Sequence, residues 1–146
     1  MSWSIRWPNG QNNFVGSAWL FLDTHAPGRC RLGWLSLDEP VSVRTYRGRP
    51  PCLLRRLFVH ERERLQACVG ICVVAGPGSF SAIRTGVLYA NLLARLVARP
   101  LVGVTLEDAV SLKQLARNLA LHAFSSVSYV APVYDREPNI TVPRNV

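Results

Sequence analysis

Lysine is almost missing from this sequence. Lys113 stands alone beside sixteen arginines, and nine acidic residues leave a formal net charge of +8. Long apolar runs are also missing. Asp23, Arg95 and Arg99 interrupt the longest, well short of the roughly 18–20 residues that a membrane span needs. Residues 1–16 are polar and dotted with tryptophan. They lack the apolar centre of a secretory leader, so the sequence reads as that of a cytoplasmic protein. Cysteine is limited to Cys30, Cys52, Cys68 and Cys72, with no C-x-x-C pair. Cys72 lies in an apolar strand pattern, and the four read as buried free thiols in place of a disulfide framework or zinc site.

What is present suffices for a core. A chain of 146 residues, 49% hydrophobic with four Trp, is incompatible with a disordered polymer and suits one folded domain. The expected limits are an irregular segment over 1–16, an α/β domain over 17–134 and an irregular tail over 135–146. The basic excess concentrates at Arg44, Arg47, Arg49, Arg55 and Arg56, with no acid between Glu39 and Glu61. A solvated basic face and a contact with RNA phosphates both fit that cluster. A biased genomic base composition also produces such an arginine skew.

The pattern along the chain predicts β-β-β-α-β-α-β-α. Strands are expected over Ser17–Thr24, Arg29–Leu37 and Val41–Arg47, separated by the turns Ala26-Pro27-Gly28 and Asp38-Glu39-Pro40. Leu53, Leu54, Leu57 and Phe58 mark a first amphipathic helix that runs to about Arg64. The continuous apolar run Val69–Ala75 suits a buried central strand. A second helix spans about Ser81 to Ala98, stopped by Pro100, and Leu101–Val104 is a fifth strand. Thr105, with Asp108 three residues on, is expected to cap a third helix reaching about His122. Ser128–Val133 would add a last edge strand. Hairpins followed by α/β alternation imply a mixed five- or six-stranded sheet with helices packed on it.

The run Gly76-Pro77-Gly78-Ser79-Phe80-Ser81-Ala82-Ile83-Arg84 joins the central strand to the second helix. Two glycines there serve either a phosphate cradle at a helix N-terminus or a tight backbone crossing. No Gly-Lys-Ser/Thr closes the run, and it is not a G-x-G-x-x-G fingerprint. In the second helix the polar residues Arg84, Asn91, Arg95 and Arg99 form one narrow stripe. A helix lying on a sheet needs only about a 100° apolar face, and this helix has more. Gly86, Ala90 and Ala94 stand four apart as a flat groove, to be filled by the first helix or by a partner's helix.

Catalytic signals are sparse. Asp23, at a strand end before a hairpin, is either a turn former or a holder of a metal–phosphate pair. Ser79 has no base near it in sequence, and no G-x-S-x-G elbow is present. His25, His60 and His122 share no metal-ligand spacing, and Cys72 has no activating neighbour. No nucleophile–base–orienter set is legible.

The stretch from Gly76 to Gly86, followed by Pro100-Leu101-Val102-Gly103-Val104, resembles the TsaB family, also called YeaZ. That family is the non-catalytic subunit of the bacterial tRNA threonylcarbamoyladenosine machinery. Leu22-Asp23-Thr24 is similar to the family's opening strand, and Leu106-Glu107-Asp108-Ala109 to the start of its third helix. The family usually has Thr and Gly where Ser81 and Ala82 stand. It also has a second domain of similar size where only Ala123 to Val146 follow here. Pro132 to Pro138 resembles the C-terminal strand of the longer proteins, so a deleted middle is expected.

The resemblance implies an actin-like, ribonuclease-H-like fold with no catalysis, cofactor or metal of its own. It implies a catalytic partner, TsaD, met through the first two helices. The partner face would then hold Leu54 and Phe58 on the first helix. On the second it would hold Ala82, Gly86, Tyr89, Ala90, Leu93 and Ala94. A homodimer through the same face is the alternative. Gly76, Pro77, Gly78, Ser79, Phe80 and Arg84 would form an architectural loop, and tRNA contact would be weak or indirect through Arg44–Arg56. The rival reading is an actin-like ATP-binding enzyme using Asp23, Thr24 and the Gly76–Ser79 loop.

Overall fold

A computed structural model describes residues 17–134; the segments 1–16 and 135–146, expected to be irregular, lie outside the described residues. Three strands, β1 (Trp19–Asp23), β2 (Arg29–Leu35) and β3 (Ser42–Arg47), form an antiparallel meander. Gly28, with φ at +70°, supplies the left-handed turn residue between β1 and β2. Then come α1 (Pro51–His60), α2 (Arg62–Ala67), β4 (Gly70–Gly76), α3 (Phe80–Val97), β5 (Leu101–Thr105) and α4 (Leu112–Ala120). The strand order is β3-β2-β1-β4-β5, with β4 parallel to both β1 and β5. The sheet is thus mixed and five-stranded. β4 lies between two parallel neighbours with helices over both faces, which is why its sequence is apolar without alternation.

Strand alternation divides the core in two. Leu20, Leu22, Leu32, Trp34, Ile71 and Val73 face α1, α2 and α3. Phe21, Leu35, Cys72, Val74, Val102 and Val104 face α4 through Leu115, Ala116 and Leu119. Helices therefore cover both faces of the sheet.

Four expectations change. The first helix is two helices, because Glu61 leaves helical geometry (φ −128°, ψ 26°); the bend brings Leu65 and Cys68 into the same core as Leu53 and Leu57. Thr105 does not cap α4. Thr105 and Asp108 exchange side-chain-to-backbone hydrogen bonds of 3.0 and 3.1 Å, but these close a single turn that buries Ala109. α4 starts six residues later than Thr105 would place it, capped by Ser111, which accepts from the Gln114 N–H at 3.3 Å. Ser128–Val133 is not a strand. Pro132 has no N–H to give, and among the described residues only single bridges form beside this segment, Leu101 with Val127 and Gly78 with Tyr134. Finally, Cys52 is exposed, while Cys30, Cys68 and Cys72 are buried; all four are free. Burial pushes the Cys30 and Cys68 thiols up to about 11 and raises Cys72 further.

Candidate functional site

The turn from β4 into α3 is shaped by Gly76. Its φ of +129° lies where side chains rarely go, and a Cβ there would run into the Val133 carbonyl oxygen. The left-handed residue is Gly76 and not Gly78. Gly78 is small for another reason: a Cβ there would sit 2.7 Å from Ile83 Cγ1 and 3.0 Å from His25 Cβ. The peptide bond Gly76–Pro77 is cis. The chain's own later segment lies against this turn. The Val133 N–H donates to the Ala75 carbonyl at 2.7 Å, and the Phe80 and Tyr134 rings stack at 4.6 Å, with Arg84 over Phe80. Ser79 stands at the N-cap of α3 with no side-chain capping bond, and its enclosed Oγ has no hydrogen-bond partner.

Asp23 is buried at the end of β1, and both of its oxygens are committed. Oδ1 accepts from the His25 backbone N–H at 3.0 Å and pairs with His25 Nδ1 at 2.6 Å. Oδ2 accepts from Arg31 Nε at 2.8 Å and Arg31 Nη2 at 2.6 Å. Register explains the Arg31 pairing, since Arg31 is the cross-strand partner of Asp23 in β2. Thr24, also buried, donates its hydroxyl to the Ala82 carbonyl at 2.6 Å. The two residues offered as nucleotide ligands thus tie β1 to β2 and to the first turn of α3. The fold does bring His25 beside Gly78, a proximity that linear spacing concealed. Ser79 and His25 nevertheless form no hydrogen bond, so no nucleophile–base pair is assembled. Among the described residues no three or more His, Cys, Asp or Glu side chains gather as metal ligands.

The small-residue groove on α3 faces inward. Ala90 is fully buried, and Leu93 and Ala94 lie in the core beneath it. A Cβ on Gly86 would run into Thr24 Oγ1. Gly86, Ala90, Leu93 and Ala94 are therefore corrected from partner-binding positions to sheet-packing ones: α3 uses small residues to lie close on β1 and β4. Asn91 is also corrected. It is buried, its Nδ2 donating to the carbonyls of Val87 and Val130 and its Oδ1 accepting from the Val130 N–H at 2.9 Å. That amide fastens the segment around Val130 to α3 and covers part of the apolar excess seen in the sequence.

The uncovered remainder lies on the opposite arc. Leu88 and Leu92, four residues apart, are 52% and 56% exposed, and Phe80 is 40% exposed. Ala82 and Tyr89 are half-buried at the margin of that arc. On α1, Leu54 and Phe58 pack partly against the core, while Val59 is open to solvent. Leu88 and Leu92 are the residues that sequence reading missed. The available signal was their spacing: both fall on the arc shared by Ser81, Arg84 and Arg95, where a sheet-packing helix carries polar side chains.

Residues 49–123, just over half of the chain and spanning α1 to α4, match the family described as TsaD: tRNA N6-adenosine threonylcarbamoyltransferase. No curated protein matches the sequence. The structure is similar to that of YeaZ from Pseudomonas aeruginosa, with 24% identity and a TM-score of 0.51. It is also similar to a structure titled an uncharacterized protein with similarity to peptidase YEAZ from Pseudomonas aeruginosa, with 25% identity and a TM-score of 0.49. Each match covers 62% of this chain and 44% of the other, so the chain spans less than half the length of these solved structures. The likeness to YeaZ is one of fold and accords with the actin-like, ribonuclease-H-like architecture.

Proposed function

This chain belongs to the TsaD family of tRNA N6-adenosine threonylcarbamoyltransferases, and on that premise we propose that it acts as a TsaB-like, non-catalytic subunit. Its role is to support threonylcarbamoyl transfer to tRNA adenosine by associating, in the cytoplasm, with a TsaD-like catalytic subunit. One observation carries the reading: Leu88 and Leu92 stand exposed on a helix whose opposite face is already committed to the sheet. Covering a leucine side chain contributes about 1.5–3 kcal/mol when burial is complete. Tyr89 is the sequence neighbour of Leu88 on α3, and Leu54 and Phe58 of α1 lie on the same side of the sheet. The partner surface is thus the outer arc of α3 with α1, in place of the inward Gly86/Ala90/Ala94 groove.

Co-expression with a TsaD-like subunit, followed by size-exclusion chromatography, tests this. A stoichiometric complex that restores threonylcarbamoyl transfer in vitro is expected. Self-association that excludes the catalytic subunit would replace the reading with a homodimeric scaffold. The nucleotide-enzyme rival requires micromolar ATP binding with turnover by this chain alone. The engagement of both Asp23 oxygens and of the Thr24 hydroxyl weighs against it.

A further inference from the structure

Six arginines, Arg29, Arg44, Arg47, Arg49, Arg55 and Arg56, collect where the β2–β3 hairpin meets α1. Among the described residues none of these six makes a salt bridge; Asp23 is held by Arg31, and Glu39 by Arg64. Arg29 and Arg47 are direct cross-strand partners, and like charges placed opposite each other destabilise a sheet. The hairpin keeps that repulsion at the open edge, since β3 is the last strand of the sheet. Strand parity puts Arg44 on the α1 face and Arg47 with Arg29 on the other, so positive charge wraps the edge from both sides. Arg56 lies over the Tyr46 ring, and its enclosed Nε has no hydrogen-bond partner. The band is therefore built without internal counter-charge.

We propose that this arginine band is an RNA-binding face that tracks the phosphate backbone of a duplex stem. The band itself stands on the charge geometry; the choice of RNA among polyanions rests on the tRNA-modification reading above. Duplex is favoured over single strand by what the band lacks. Single-stranded recognition relies on exposed aromatic platforms for stacking. Among the described residues the one aromatic in the band, Tyr46, lies half-buried under Arg56, and the exposed rings Phe80 and Tyr129 lie outside it, on the first turn of α3 and on the segment after α4. Guanidinium contacts to phosphate fix a protein on the backbone without reading sequence.

The test is fluorescence-anisotropy titration of the full chain with a labelled 20-base-pair RNA duplex and with one of its single strands. Both are measured between 50 and 200 mM KCl. Tighter binding of the duplex is expected, with affinity falling on the order of a hundredfold across that range if about four phosphates are neutralised. The double variant Arg44→Gln/Arg47→Gln should lower the log–log salt slope by about 2. Lys113→Gln/Arg117→Gln, which removes equal charge from the exposed face of α4, should leave the slope unchanged. Single strand binding as tightly as duplex, a flat salt dependence, or equal weakening by both double variants would overturn the band. Association with the catalytic subunit is measured on the same proteins. Normal association without RNA binding sinks this inference alone. Lost association with intact RNA binding marks the band as a protein contact and overturns it too.

Discussion

The inner and outer faces of α3 are built from opposite kinds of residue. The inner face uses Gly86, Ala90 and Ala94, side chains so small that the helix axis comes down onto β1 and β4. The outer face uses Leu88 and Leu92, large side chains each more than half exposed. Close approach of two backbones requires small residues, whereas a docking surface requires area to bury. A small-residue stripe therefore marks where a helix is already occupied, and exposed large residues mark where it is open. The same helix also carries Asn91, whose amide takes both backbone groups of Val130 and so closes a third side. Among the described residues the arc around Leu88 is the side of α3 left most open.

The strongest test of that contrast is Ala90→Arg. Ala90 has no exposure, and a guanidinium forced between α3 and the sheet would be an uncompensated buried charge, at a cost of about 3–5 kcal/mol. Since domains of this size are stable by only about 5–15 kcal/mol, far-UV circular dichroism with urea titration should show a largely unfolded or severely weakened protein. A variant with a wild-type midpoint and no partner binding would reverse the assignment of the two faces.

Asp23→Ala comes next. It removes the carboxylate that holds Arg31 and His25, leaving a partly buried cation without its partner. A loss of about 3 kcal/mol is expected, read as a lowered urea midpoint. If stability is unchanged while ATP binding disappears, Asp23 serves a ligand and the nucleotide-enzyme reading returns.

The difference between these residues and the rest of the fold explains what could be read in advance. Strand and helix periodicity is local, so the meander, the apolar central strand and the order of elements were legible from spacing. Which face of α3 turns inward was not. Its apolar residues surround the helix, and the decision lies in a contact 62 residues apart in sequence, Gly86 against Thr24. The Thr105–Asp108 pair was recognised as a cap, but a one-turn box and a helix cap share the same hydrogen bonds. Only the burial of Ala109 separates them. The failed edge strand has the same origin, because Asn91 competes for the backbone of Val130 from 39 residues away.

Asn91→Ala isolates that competition. The Val130 N–H and C=O lose their partners in a buried site, which costs about 1–3 kcal/mol. Amide hydrogen exchange should accelerate over residues 127–134 while β1 and β4 stay protected. Uniform acceleration would mean that the segment is not a separate layer on α3.

Core burial also sets a pH dependence. The folded state holds the Cys30 and Cys68 thiols protonated up to about 11, whereas unfolded thiols ionise near about 8.5. The folded chain thus binds more protons than the unfolded one above that lower value. Stability from this source is complete below about pH 8.5 and declines as pH rises towards about 11. Thiol-reactive probes at pH 8 should label Cys52 alone in the native protein. Labelling of Cys30 or Cys68 before unfolding would place them outside the core.

The smallest effect on stability, and the one that decides the outer face, is expected for Leu92→Asp. The side chain is 56% exposed, so the urea midpoint should move by no more than about 0.5 kcal/mol equivalent. Association with the TsaD-like subunit should nonetheless weaken about tenfold or more. The variant removes a leucine worth about 1.5–3 kcal/mol on burial and adds a carboxylate that the interface would have to desolvate. Leu88→Asp should do the same, because the two stand one helical turn apart on one arc. Folded, stable Leu88→Asp and Leu92→Asp proteins that still bind the catalytic subunit at wild-type affinity would remove α3 from the interface. The partner contact would then have to be sought on α1, at Leu54, Phe58 and Val59.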